Sequence, residues 1–226
     1  DKITTGYSNC IFGSFSMDSG AACTGYNNVS IGSSAMRNMT SGHGNTGSGV
    51  RNLADNTTGI LNVALGFETL TNNTTAANNT AVGGEAMFTN TTGHSNTAIG
   101  TVAGRAITTG ASNTLVGYQA GLKITSTGGN TQIGSEAGEE ITTGAFNTSV
   151  GIVAGSAITT GDKNLCLGYD AGTSSSPSTI TTGDNGIVLG NNSTTSAHIK
   201  VDWTVTSDKR DKTDIEPLTM GLDFVN

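Results

Sequence analysis

The sequence predicts an all-β chain: a parallel β-solenoid, or β-roll, with one 17-residue unit per coil, assembled as an elongated homotrimer. Three observations predict it. Nine asparagines (Asn28, Asn45, Asn62, Asn79, Asn96, Asn113, Asn130, Asn147 and Asn164) stand 17 residues apart, and a glycine follows each four positions later, from Gly32 to Gly168. Short stretches such as Asn113-Thr114-Leu115-Val116-Gly117 alternate like a strand, and Thr-Thr-Gly or Thr-Ser-Gly punctuates the turns. The units carry Thr, Val, Ile and Gly where helices favour Leu, Glu, Lys and Arg, and 17 residues are too few for a helix pair. An unbroken period of this length marks an array whose units stack on one another and do not fold alone.

Along the chain, Asn9 with Gly13 makes an earlier unit, set slightly further from Asn28 than the strict period, and Gly183 to Gly190 makes a later one reached through a longer loop. Within each unit the stations are counted from the asparagine. At the third position before it stands a turn glycine in most units. At the third position after it the side chain is apolar (Ile31, Leu65, Val82, Ile99, Val116, Ile133, Val150, Leu167), with Ser48 interrupting. At the seventh the later units carry alanine, from Ala86 to Ala171, and at the twelfth threonine is unbroken from Thr40 to Thr159. Stacking at about 4.8 Å per strand turns these stations into ladders and makes ten or eleven coils roughly 50 Å long. The asparagines bond one another or turn backbones along the stack, and the aliphatic station is expected to form one buried column.

A core of one Val or Ile and one Ala per coil is thin. Packing against copies of the chain compensates, and parallel rods close most readily around a threefold axis. The charge of −7 and the isoelectric point near 4.7 exclude the clustered Lys and Arg that nucleic acid requires. No apolar run is long enough to span a bilayer, so no membrane insertion is expected. Nothing in the array calls for a cofactor or a metal. Cys10, Cys23 and Cys166 lack ligand spacing; Cys10 and Cys166 take strand positions and are expected as buried thiols. A calcium β-roll would need an aspartate in every nonapeptide, and the array has too few carboxylates. His43 and His94 share one station and read as exposed turn residues. Regular threonines also occur on ice-binding solenoids, but here the threonine column is single and lies beside the turn glycine.

After Asn192 the composition changes. His198 to Val205 alternates like an ordinary strand and holds the only tryptophan, Trp203; charged residues then crowd the segment from Ser207 onward. Pro217 suits a first helical turn, and Leu218, Leu222 and Val225 form a helical stripe. The expected division is a solenoid array over 1–192, a connecting strand segment over 193–206, and the start of a truncated second module over 207–226. The chain begins within a repeat and stops within a helix-like stretch, and so reads as a fragment of something longer.

The junction Ser207-Asp208-x-x-x-Lys212-x-x-Ile215-x-Pro217-Leu218, preceded by the tryptophan strand, resembles the opening of the C-terminal intramolecular chaperone of endosialidase-type phage tail fibres and tailspikes. The array resembles the Asn-Thr-x-x-Gly-x-x-Ala-Gly repeats of such tail proteins. It is also similar to the β-roll heads of trimeric autotransporter adhesins, whose coils are shorter. The junction resemblance covers little more than the tryptophan strand and the segment that follows it, whereas the repeat resemblance covers nearly all of the array. It implies a trimeric fibre shaft in the virion that presents a surface to a host-cell receptor, a glycan or surface protein, and that contacts other tail proteins. It implies no enzyme beyond a single-turnover self-cleavage, with Ser207 as nucleophile and Lys212 as its base. A cellular surface adhesin or filament, with an extracellular location, is the alternative, and an ice-binding solenoid a third reading.

Overall fold

A computed structural model describes residues 5–20 and 22–196. The strand segment expected over 193–206 lies largely outside them, and the module expected over 207–226 lies wholly outside. Eleven short strands follow one another: β1 (Cys10–Phe12), β2 (Val29–Ile31), β3 (Thr46–Ser48), β4 (Val63–Leu65), β5 (Thr80–Val82), β6 (Thr97–Ile99), β7 (Thr114–Val116), β8 (Thr131–Ile133), β9 (Thr148–Val150), β10 (Leu165–Leu167) and β11 (Ile187–Leu189). Each pairs in parallel with the next in a single sheet, in chain order. From β2 to β10 the offset between partners is one full repeat, so Thr97 faces Thr114 and Thr114 faces Thr131. It is longer between β1 and β2, where Cys10 faces Val29, and longer again between β10 and β11, where Leu165 faces Ile187. One repeat is one coil of a β-solenoid, and the outlying first and last units are coils too.

The asparagines form a continuous internal ladder. From Asn28 to Asn164, each donates its backbone N–H to the Oδ1 of the preceding asparagine at 2.9 to 3.1 Å. From Asn28 to Asn130 the Nδ2 donates to the same oxygen at 3.0 to 3.3 Å. The Nδ2 also donates to a turn carbonyl of the following coil, for example Asn113 to Thr127 at 3.1 Å. These side chains are 0 to 2% exposed from Asn28 to Asn164. On another wall, the Oγ1 of Thr40 and of each threonine that follows at the same station donates to the carbonyl of the next, at 3.0 to 3.3 Å. Both ladders satisfy polar groups that stacking would otherwise bury unpaired.

The strand stops at the glycine in the fourth position after the asparagine. Gly117 has φ +140°, and a Cβ there would lie 2.3 Å from the carbonyl oxygen of Gly134. Only glycine lets two coils approach this closely at such a backbone angle.

The ladder asparagine points inward, so with period two the second residue after it points inward as well, while the first and third point out. Here the structure corrects the expected aliphatic column. Leu65, Ile99, Ile133 and Val150 are 37 to 40% exposed, and Val82 and Val116 are only partly buried. The buried strand residue is its centre: Ala64, Ala81, Ala98, Leu115, Gln132, Ser149 and Cys166.

The rest of the core comes from the buried alanines of the seventh station, Ala86 to Ala171, and from the eighth and eleventh stations, which change together. Coils starting at Asn45, Asn62 and Asn79 bury Leu53, Leu70 and Met87 at the first of them and Asn56, Asn73 and Asn90 at the second. Coils starting at Asn96, Asn113, Asn130 and Asn147 place Gly104, Gly121, Gly138 and Gly155 at the first and bury Ile107, Ile124, Ile141 and Ile158 at the second. A Cβ on Gly104 would lie 2.6 Å from Leu115 and 2.9 Å from Ile107, so the volume is exchanged between neighbouring stations. Leu53, Leu70 and Met87 sit at φ 47 to 51°, a left-handed angle that glycine adopts without strain. The second asparagine row links Asn90 to Asn73 and Asn73 to Asn56 at 2.9 and 3.0 Å. Where Ile107 ends it, the Oδ1 of Asn90 is left buried without a partner.

Two expected outcomes follow from these contacts. Asn113→Ala removes the acceptor of two Asn130 donors and the donor to Thr127, and is expected to cost about 3 kcal/mol or more in denaturant unfolding, while the outward Thr114→Ala stays within about 0.5 kcal/mol. Met87→Gly opens a cavity and Asn90→Ile overfills its site, so each alone destabilises. Together they extend the glycine–isoleucine arrangement by one coil, and a double-mutant cycle should return a favourable coupling of about 1 kcal/mol or more.

Candidate functional site

The solenoid surface is chemically divided. Beyond the glycine bend, the next residue points outward: Val50, Phe67, Tyr118, Ile152 and Tyr169 occupy this fifth station and are all exposed. The glycine therefore sits between two outward columns, the aliphatic third station and the partly aromatic fifth. Together they hold thirteen of the eighteen exposed large hydrophobics among the described residues. The two columns contain no charged residue in any coil. Beside them on the strand, at the first station, runs a second threonine column: Thr46, Thr80, Thr97, Thr114, Thr131 and Thr148. The sequence reading missed this outward threonine column and counted the aliphatic column as core. The inward asparagine, with strict alternation counted from it, would have revealed both.

Charged residues cluster past the bend and join adjacent coils. Arg51 pairs with Glu68 at 3.0 Å, Arg105 with Glu85 at 2.7 Å, and Lys123 with Glu140 at 2.5 Å. The Arg105 guanidinium also lies 5.2 Å over the Phe88 ring. The hydrogen bond to Glu140 raises the Lys123 pKa. Burial, with Glu136 and Glu140 nearby, raises that of Glu139. These pairs join the surfaces of adjacent coils and contribute little stability of their own.

No other feature of the described residues has the form of a catalytic or ligand site. They form no pocket, no cluster of three or more metal-ligating side chains, and no helix long and apolar enough to cross a membrane. His43 stacks on Tyr26 at 4.5 Å, which in turn stacks on Tyr7 at 5.0 Å; His94 is exposed beside Ser95 at 3.3 Å. The expected self-cleavage pair, Ser207 and Lys212, lies outside the described residues. Comparison with protein-family models, with curated proteins and with solved structures found no match for this chain.

The cysteines differ from expectation at one position. Cys23 and Cys166 are buried, but Cys10 is exposed, because it takes the outward first station of β1 whereas Cys166 takes the inward centre of β10. None is in a disulfide. Burial pushes the Cys166 thiol up to about 11, which suppresses the reactive thiolate. Under native conditions an alkylating reagent should therefore modify Cys10 alone, with Cys23 and Cys166 reacting only on unfolding. Mass spectrometry after timed labelling checks this, and rapid labelling of Cys166 would contradict its inward placement.

Proposed function

We propose that this chain is a shaft segment of a fibrous adhesion protein, a phage tail fibre, that works as a parallel homotrimer and presents a surface to a host-cell receptor. The observation that carries the reading is the parallel stack of eleven strands: a continuous scaffold with a repeating outer surface and no pocket among the described residues. The junction at Ser207 to Leu218, which resembles the start of an endosialidase-type chaperone, supports the phage assignment over a cellular adhesin. In this reading the chaperone aligns three chains and then releases itself. The Ser207 hydroxyl attacks the backbone carbonyl at the junction, Lys212 takes the hydroxyl proton and returns it to the departing nitrogen, and water then hydrolyses the ester on Ser207 to free the C-terminal piece.

The test is made on a chain extended through its complete C-terminal module. A denaturing gel should show release of the C-terminal piece from the parent chain. Ser207→Ala and Lys212→Ala should retain the module while light scattering still reports trimers. Release at the normal rate from Ser207→Ala would remove the nucleophile assignment, and a monomeric parent chain would remove the fibre reading.

The outward threonine column favours a second reading. Thr80-Ala81-Val82, Thr97-Ala98-Ile99 and Thr114-Leu115-Val116 lay hydroxyl and aliphatic columns side by side on a strand face, an arrangement with the regularity that an ordered-water surface requires. Thermal hysteresis of the purified protein tests it.

A further inference from the structure

We infer that Asn185 is a site of spontaneous modification, deamidation by water, and that the last rung of the amide ladder keeps it closed while the final coil is docked. An asparagine side chain is most reactive where glycine follows, because the glycine nitrogen is unhindered and reaches the side-chain amide. Asn185-Gly186 is the one such pair in the sequence. The ladder asparagines from Asn28 to Asn164 are buried, and the larger Val, Thr or Leu that follows each of them hinders the approach. The fold itself imposes the reactive pair. Leu165 of β10 faces Ile187 of β11, which places Gly186 at the ladder station of the final coil. A Cβ on Gly186 would lie 2.7 Å from Cδ1 of the buried Ile180, so glycine stands there in place of asparagine. Asn185 precedes it, exposed, at φ 59°, a left-handed angle that asparagine tolerates.

In the reaction the Gly186 nitrogen loses its proton and attacks Cγ of Asn185. The C–N bond of the side-chain amide breaks, and ammonia leaves with that proton, giving a five-membered succinimide. Water then opens the ring at one of its two carbonyls and leaves either aspartate or isoaspartate, whose main chain is one methylene longer. The docked coil opposes the first step. The Gly186 N–H donates to Oδ1 of Asn164 at 2.7 Å, and the Gly186 carbonyl accepts from the Leu165 N–H at 2.8 Å. The attacking nitrogen is thus held along the ladder with its proton engaged. Beside it the Asn185 N–H donates to the Asp162 carbonyl at 2.9 Å, and Nδ2 of Asn164 donates to the Gly183 carbonyl at 2.7 Å. Attack requires these bonds to open. Among the described residues β11 pairs with β10 alone, and a coil with one neighbour is where a stack opens most readily. Isoaspartate then lengthens the chain where the coil meets the ladder and misplaces Gly186 against Asn164, which makes the modification a one-way release of the final coil.

The test is timed incubation of the whole chain in mildly alkaline buffer, native and urea-unfolded, with digestion and mass spectrometry to follow aspartate and isoaspartate at residue 185. Conversion should be at least about tenfold slower in the native chain than in the unfolded one, because only the open fraction of the final coil reacts. Native conversion at the unfolded rate would show that the rung is no gate, and an unfolded chain that leaves Asn185 intact would remove the site. Asn164→Ala takes away the acceptor of the Gly186 N–H and should restore most of the unfolded rate while circular dichroism keeps the β signal. An unchanged rate in that folded variant overturns the gate. Should the variant lose the β signal, hydrogen exchange of the parent chain decides. The ratio of native to unfolded deamidation rates should match the open fraction read from the Gly186 amide, and deamidation that outruns this fraction about tenfold overturns the inference.

Discussion

The amide ladder through Asn28 to Asn164 is the interaction from which the rest of the solenoid follows. Each Oδ1 accepts from the backbone of the next coil, and each Nδ2 from Asn28 to Asn164 reaches a turn carbonyl one coil further on. That geometry fixes both the height of a coil and the position at which the strand begins. Once the asparagine points inward, alternation decides every neighbouring side chain: inward at Leu115, outward at Thr114 and Val116. The glycine at the fourth position is then forced, because the next coil's carbonyl occupies the place of its Cβ. A one-residue shift of the strand against the ladder would turn it over and place the aliphatic column inside, whereas extra residues in the loops, as before β2 and β11, leave the faces unchanged.

Inside this frame the core is set locally. From Asn45 to Asn147 each coil buries one large apolar side chain near its turn, either Leu53, Leu70 and Met87 or Ile107, Ile124, Ile141 and Ile158, whereas the coil starting at Asn28 buries both Met36 and Met39. Leu and Met at the earlier station take a left-handed backbone, while Gly104, Gly121 and Gly155 take that angle readily and leave the volume to isoleucine. The two arrangements meet between Asn90 and Ile107, where an amide oxygen loses its partner. Stability in such an array is a sum of coil and nearest-neighbour terms, so a mismatch at one boundary is tolerated without loss of the stack.

Much of this architecture was legible in the sequence because it is periodic. The coil length, the parallel stacking, the ladders and the irregular coils at Asn9 and Gly183 all follow from spacing. The direction of side chains was less legible. Val116 is larger than Ala81 or Ser149, and size alone assigns it to the core; the deciding fact is the parity set by an inward polar residue. Burying asparagine in preference to valine runs against composition-based reasoning, and it is favourable only because the ladder satisfies the amide completely. Cys10 was misplaced for the same reason, since it stands one position away from the inward station that Cys166 occupies. The outward threonines were overlooked because the more regular threonine column, from Thr40 to Thr159, lies at a turn.

The distribution of large side chains has its own consequence. The interior is filled by the asparagine ladder, by small strand-centre residues and alanines, and by Leu, Met or Ile at later stations, and it has no internal use for an aliphatic residue at the third station. Yet that station is aliphatic in eight of nine strict repeats, with Ser48 the exception. The neighbouring first station, equally outward on the same strands, is threonine in six of them. Strand propensity favours Val, Ile and Thr alike, so propensity does not explain why the two columns differ. What separates them is position: the aliphatic column borders the bend and the threonine column lies away from it. Neither internal packing nor strand propensity accounts for the aliphatic column, and contiguous exposed apolar surface of this kind is characteristic of interaction sites.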